Sequence, residues 1–229
     1  MDPVLEVCCG SLQSAINAVA GGAERIELCS ALEVDGLTPP VEVLRELRQQ
    51  FPELKIHVLI RPREGNFVYT EAEVAQMERE IHEAVAAGAT AIVCGALTAE
   101  GEIDVPATKR LVEAAEGLPF TFHRAFDVVK DQVAALETLK ALGIQRVLTS
   151  GGAVTAEAGI SMLRQLVNQA HGEIIILPGG GVNSLNACRI LTETGATEIH
   201  GSCSDVLPDG SRLTNADEVA AVLAAIAVG

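Results

Sequence analysis

The sequence has no tryptophan, a single tyrosine and five phenylalanines, so aromatic residues make up only 3% of a 229-residue chain that is 48% hydrophobic. A core of that size must be built from Val, Ile, Leu and Ala, which favours buried parallel strands beneath helices. Positive charge is also scarce. Sixteen Lys and Arg stand against thirty-one Asp and Glu, a formal net charge of −15. This disfavours a general surface for nucleic acid or anionic membrane and leaves room only for local cationic pockets. No apolar run approaches the ~18 residues of a membrane span. Met1 leads almost at once into Val4-Leu5-Glu6-Val7, without a basic segment followed by an apolar one, so a cytoplasmic protein is expected. The six cysteines, Cys8, Cys9, Cys29, Cys94, Cys188 and Cys203, lack zinc-finger spacing and are expected to be reduced. No Walker or dinucleotide motif is present, and no strand-terminal lysine is placed for a Schiff base.

What is present is one phrase repeated: a helical stretch, a small-residue turn, then an apolar strand with polar groups at its end. It reads Ala20-Gly21-Gly22-Ala23-Glu24-Arg25-Ile26-Glu27-Leu28 in one copy and Ala87-Gly88-Ala89-Thr90-Ala91-Ile92-Val93-Cys94 in another. Two more copies begin at Leu142-Gly143 and Thr194-Gly195. Glycine just after a helix takes the left-handed position cheaply, so the repetition has a mechanical cause. Adding the remaining apolar runs predicts eight strands, near residues 4–8, 25–29, 55–61, 90–95, 119–124, 145–150, 173–178 and 197–202. Each interval can hold one crossover helix. Helix starts are marked by Thr70 with Glu73 in capping-box spacing, and by Thr38 before Pro39, Asp131 and Asn183. Eight βα units without a linker predict a single-domain α/β (β/α)8 TIM barrel over residues 1–229.

Such a barrel carries its chemistry where the strands end. Strands one and two share the pattern Glu6-Val7-Cys8 and Glu27-Leu28-Cys29. Alternation puts each Glu on the same face as its Cys, so two carboxylates and two thiols can meet inside the barrel. The other strand ends add Arg61 and Arg63, then His123, Arg124 and Asp127, then Thr149-Ser150-Gly151-Gly152, Gly179-Gly180-Gly181, and His200-Gly201-Ser202-Cys203. Two soft thiolates on adjacent strands suit Cu(I), although free cysteine is also an ordinary small core residue. Cys9 should point away from Cys8, and Cys203 has the opposite parity to His200.

Glu6, Glu27, His123 and His200 are candidate acid–base groups, with Asp127 beside them, and Arg61 and Arg124 can hold a carboxylate, a phosphate or a developing oxyanion. The alternative is an internal salt-bridge layer in which each Arg neutralises a Glu. His57, His82 and His171 read as structural or solvent-facing. The turns at Ser150-Gly151 and Gly180-Gly181, with Ser202, are candidates for cradling an anion such as a sugar phosphate, or else are simply tight turns.

These motifs together resemble the CutC copper homeostasis family. The resemblance rests on Leu5-Glu6-Val7-Cys8, Gly21-Gly22-Ala23-Glu24-Arg25-Ile26-Glu27-Leu28-Cys29-Ser30, Gly36-Leu37-Thr38-Pro39 and Ile60-Arg61-Pro62-Arg63. Gly95-Ala96-Leu97-Thr98, Thr121-Phe122-His123-Arg124-Ala125-Phe126-Asp127, Leu148-Thr149-Ser150-Gly151-Gly152 and His200-Gly201-Ser202 extend it to the last strand. It implies a cytoplasmic TIM barrel that assembles as a dimer or tetramer and handles copper, with Cys8 and Cys29 as Cu(I) ligands and Glu6 and Glu27 nearby. Cys9-Gly10 departs from the small or acidic pair common among relatives. The rival expectation is an enzyme of lyase or isomerase type that acts on a small carbohydrate or hydroxy-acid, phosphorylated or not. A third is a scaffold whose outer helices bind a partner.

Overall fold

The computed structural model describes residues 3–227. Eight parallel strands form the sheet: β1 (Val4–Cys9), β2 (Arg25–Leu28), β3 (Lys55–Leu59), β4 (Ala91–Cys94), β5 (Phe120–Phe122), β6 (Arg146–Thr149), β7 (Ile175–Pro178) and β8 (Glu198–Gly201). Their order is β7-β6-β5-β4-β3-β2-β1-β8, and an isolated parallel bridge between Gly179 and His200 joins the two ends. All eight predicted strands are present, alternating with helices in a single-domain TIM barrel. Residues 1, 2, 228 and 229 of the predicted domain lie outside the described residues.

Several expected helix signals hold. Thr70 and Glu73 form a reciprocal capping box at the start of α3 (Glu71–Ala86), and Asp131 caps α5 (Gln132–Ala141) through the N–H groups of Val133 and Ala134. Asn183, by contrast, is not the cap of α7 (Ala187–Thr194), whose N-cap is Asn186; its side chain accepts from Leu185 N–H at 2.9 Å in the turn before the helix. Thr38 does not act as a cap. The residue before α2 (Val41–Gln50) is Pro40, and the Thr38 hydroxyl instead donates to Glu80 and accepts the Arg61 N–H. Thr38 thus ties the end of β3 to α3.

Outward-facing strand residues such as Val7, Ile26, Ile56 and Ile92 pack beneath the helices in one aliphatic core, which Cys9 and Cys94 also enter. Three of the five phenylalanines, Phe120, Phe122 and Phe126, are fully buried on β5 and the 3-10 turn that follows it (Arg124–Val128). Inward-facing residues behave differently. At the N-terminal end of the strands the interior is ionic. Arg146 Nε and Nη2 contact Glu198 at 2.6 and 2.9 Å, Arg25 Nη2 reaches Glu198 at 2.6 Å, and Arg25 Nε reaches Glu6 at 3.0 Å. An internal salt-bridge layer exists, not through the strand-end arginines for which it was the alternative reading, but at the N-terminal ends of the strands and through Arg25, Arg146 and Glu198. Their pairing braces β6, β8, β2 and β1 across the barrel.

The sequence-based strand map ends at β8, yet a hairpin follows it. Its strands are β9 (Ser204–Val206) and β10 (Arg212–Thr214), antiparallel and ahead of α8 (Ala216–Ala227). The turn Leu207-Pro208-Asp209-Gly210-Ser211 carries the residues a tight reversal wants, but three-residue strands are too short to show a period.

Because one carboxylate neutralises two buried guanidinium groups, Glu198→Gln is expected to lower unfolding free energy by about 3–5 kcal/mol. Arg45→Ala, which removes only an exposed pair with Glu42, should cost less than about 1 kcal/mol. Urea denaturation of the two variants measures the difference.

Candidate functional site

A cavity of about 950 Å³ opens at the C-terminal ends of the strands, with Cys8, Glu27 and His200 among its lining residues. The two Glu-x-Cys motifs do not sit level. Cys8 is the register partner of Glu27, so β2 is offset by one side-chain layer from β1, as barrel shear requires. Glu6 falls below, beside Arg25, and Cys29 rises above. The thiols nevertheless meet: Cys8 Sγ lies 3.8 Å from Cys29 Sγ and donates to Glu27 Oε1 at 3.4 Å. Both cysteines are free thiols, and the separation is far beyond the ~2.05 Å of a disulfide bond. The side-chain ligand atoms of Cys8, Glu27 and His200 all lie within 4.8 Å of one another.

Glu6 is fully buried and occupied. Its Oε2 meets Arg25 Nε at 3.0 Å and His57 Nδ1 at 2.6 Å, while Oε1 takes His200 Nδ1 at 3.0 Å. Burial alone would raise its pKa, but the His57 charge, the two histidine contacts and Arg25 hold the carboxyl well below the usual range. Glu6 is therefore a fixed anion that orients His200. With Nδ1 turned to Glu6, His200 leaves Nε2 toward the cavity floor. Burial would lower the His200 pKa, but Cys8, Glu27 and Glu6 around it push it well up. The Cys8 thiol is driven well above its ordinary value by its contact with Cys29, by burial and by the carboxylate of Glu27. Glu27 is raised by burial, with His200 opposing and Glu6 reinforcing the shift. Its Oε2 is buried without a hydrogen-bond partner. Leu59, Val93 and Leu32 pack about the thiols. Gly36 closes over them with φ +86°, and a Cβ there would stand 2.8 Å from Leu59 Cδ2 and 3.5 Å from Cys29 Sγ.

The cavity wall carries the other candidates. Arg61 is 5% exposed and donates to the carbonyls of Val34 at 2.8 Å, Gly36 at 3.1 Å and Gly65 at 3.0 Å, leaving Nε without a partner. Arg63 turns away to Glu73 and the backbone of Asn66 and Val68. His123 follows β5, and its Nδ1 accepts Ala125 N–H at 3.3 Å, so its proton resides on Nε2. That Nε2 is buried and unpartnered. Burial and the neighbouring Arg61 charge bring the His123 pKa down to about 3. The ring edge lies against Gly95, where a Cβ would stand 2.6 Å from Nδ1.

Two expectations need correction. Asp127 is not a free acid–base group: it accepts from Arg124 Nε at 2.7 Å, Thr149 Oγ1 at 2.5 Å, Ser150 N at 2.9 Å and Gly152 N at 3.1 Å. The same contacts close the turn expected to cradle an anion, because Ser150 and Gly152 N–H point to Asp127 and Gly151 N–H to Thr149 Oγ1. Ser150 Oγ also receives Arg124 Nη2 at 3.1 Å. Gly180 and Gly181 do line the cavity, at positive φ, and Gly180 lies under the Arg124 guanidinium. Ser202 also lines it, its hydroxyl 2.9 Å from that of Ser204. Cys203 is buried there as well, its thiol pushed up to about 12 by burial and by Glu218.

His57, expected to be structural or solvent-facing, proves to be buried and to hold Glu6 from β3. Its register pairing with Glu27 marks it as inward-facing, a signal that alternation from Leu59 and Arg61 carries. Phe67 was missed because it lies on a loop: its ring is 4.9 Å from His123 and 5.0 Å from the Arg61 guanidinium carbon.

The CutC family model matches residues 3–205 of the chain. A human protein named copper homeostasis protein cutC homolog is 45% identical over 212 residues, 93% of this chain and 77% of that protein. A family protein CutC of Bacteroides fragilis is 45% identical and matches 93% of this chain and 84% of its own length. A solved CutC structure from Streptococcus agalactiae superposes with a TM-score of 0.83 at 37% identity, covering 87% of this chain and 98% of that one. Among the described residues, no helix is long and apolar enough to cross a membrane.

His123 sets a pH signature. Its folded pKa of about 3 lies below the ~6.5 of an unfolded histidine, so between those values the unfolded chain binds the extra proton. The stability contributed by neutral His123 is complete above about pH 6.5 and is lost as pH falls toward 3. In urea titrations across that window, wild type should therefore lose stability more steeply than His123→Phe. Equal slopes would place the proton elsewhere.

Proposed function

The chain belongs to the CutC family, and from that premise we propose that it handles copper by holding Cu(I) between the thiolates of Cys8 and Cys29 at the floor of the barrel mouth. The observation that carries this reading is the pair of free thiols 3.8 Å apart. They stand in a dry setting beside an imidazole Nε2 and a carboxylate oxygen that has no other partner. Soft sulfur donors select Cu(I). His200, oriented from behind by Glu6, supplies the histidine–carboxylate pairing that commonly supports a metal ligand. The ion is cargo here, and the relatives named for copper homeostasis agree with that assignment. Free thiols at the site fit a reducing compartment, the cytoplasm, and we extend the dimeric or tetrameric state expected of the family to this chain.

Ligation requires deprotonated sulfur, so copper must displace the Cys8 proton, which the site holds tightly. Apparent affinity is therefore expected to rise as pH rises from 6 to 8, with proton release on binding. In a competition titration of the reduced protein against a chromogenic Cu(I) chelator, wild type should take up copper and Cys8→Ser/Cys29→Ser should bind at least about 100-fold more weakly. Equal affinities in the two proteins would remove the site.

A further inference from the structure

Buried arginines in this barrel are neutralised by carboxylates, with one exception. Arg25 and Arg146 meet Glu6 and Glu198. Arg61, equally buried, has no carboxylate within 4.0 Å among the described residues: its hydrogen bonds go to three backbone carbonyls, with the Phe67 ring and the Tyr69 hydroxyl nearby. An uncompensated buried cation is costly, and this one retains an unpartnered Nε–H at a cavity wall. Phe67 packs against both Arg61 and His123, and His123, which lines the same cavity, carries the second unpartnered buried donor at Nε2–H. Arg124 adds a third: Asp127 and Ser150 hold its Nε and Nη2, while Nη1 lies over Gly180 on the same wall. Arg61 and His123 lack a local anion to meet, and Asp127, the anion paired with Arg124, is fully engaged. The acids at the cavity rim, Glu33, Asp35 and Asp205, are exposed, where water and salt screen them.

We propose that this wall is a binding site for the carboxylate of a small organic acid, held by Arg61 Nε–H, His123 Nε2–H and Arg124 Nη1–H. The acid's neighbouring hydroxyl or thiol is directed to Glu27 Oε2 and the cysteine floor. The inference goes beyond the copper reading and does not depend on it. A planar carboxylate suits this sparse donor set, with its two oxygens on two buried N–H groups and a guanidinium at the rim. A phosphoryl group would call for more donors, and the turn expected to supply them, Ser150-Gly151-Gly152, has its N–H groups closed onto Asp127 and Thr149. Opposite the wall, Glu27 Oε2 is a buried acceptor without a donor, which a ligand hydroxyl or thiol satisfies. A 2-hydroxy or 2-mercapto carboxylate carries both an anion for the wall and a donor for Glu27.

The test titrates metal-free, reduced wild type with lactate, mercaptoacetate, inorganic phosphate and uncharged glycerol. The signals are the imidazole nitrogens of His123 in histidine-labelled protein and, in parallel, calorimetry. Saturable shifts with lactate or mercaptoacetate are expected, with dissociation constants of about 1 mM or tighter. Phosphate should bind more weakly and glycerol not at all. His123→Phe and Arg61→Lys, each shown by circular dichroism to be folded, should weaken the carboxylate at least tenfold by calorimetry. The proposal is overturned by no saturable shift up to about 10 mM of either acid, by phosphate binding more tightly than both, or by unchanged affinity in the folded variants. Since no metal is present, a failure of copper binding would leave this result standing.

Discussion

Glu6 meets the side chains of Arg25, His57 and His200 at distances of 2.6 to 3.0 Å with no exposure to solvent. Taking a carboxylate out of water costs several kcal/mol, and the three partners on β2, β3 and β8 offset that cost only where they converge. The contact therefore fixes the relative position of four strands at one point. It also determines the chemistry one layer up. A histidine whose Nδ1 faces a permanent anion has its other nitrogen assigned, and the Cys8–Glu27–His200 floor inherits that assignment.

The interior above and below this point is sorted by the offset between β1 and β2. Charged pairs occupy the N-terminal layer, where Arg146 and Glu198 complete the network. Thiols, one carboxylate and one imidazole occupy the middle layer, and donors without acceptors occupy the wall. A level arrangement would put Glu6 beside Glu27 and force two buried carboxylates to share a site, which raises one pKa strongly. The offset separates them, so that Glu6 stays ionised among cations while Glu27 remains a raised, half-satisfied group at the cavity floor. Glycines finish the sorting. Gly36 and Gly95 sit where a methyl group would collide with the Cys29 surroundings or with the His123 ring.

The barrel was legible in the sequence because its repeat, glycine turn then aliphatic strand, has a local cause at every copy. The convergence of Glu27, Cys8, Cys29, Arg61 and His123 was legible for the same reason, since parity and strand ends place them. What could not be read was register. Period-two alternation says that Glu6 and Glu27 both point inward, but not which layer each reaches, and so the difference between a structural anion and an open one stayed hidden. Hydrogen bonding within loops was equally invisible: nothing in Thr149-Ser150-Gly151-Gly152 announces that Asp127, more than twenty residues earlier, fills its donors. Arg25, Arg146 and Glu198 escaped notice because they lie at strand starts, away from the end where barrel chemistry is sought.

The barrel's last junction, between β7 and β8, is a single bridge from Gly179 to His200, while the other seven junctions are continuous ladders. His200 is thus both a latch of the main chain and a side chain of the floor. Whatever engages its imidazole also holds the thinnest part of the cylinder shut. Occupancy of the floor and local opening of this seam are then linked equilibria. Amide exchange near Gly179 and Gly201 becomes a gauge of what the mouth contains, even though neither amide belongs to the binding chemistry.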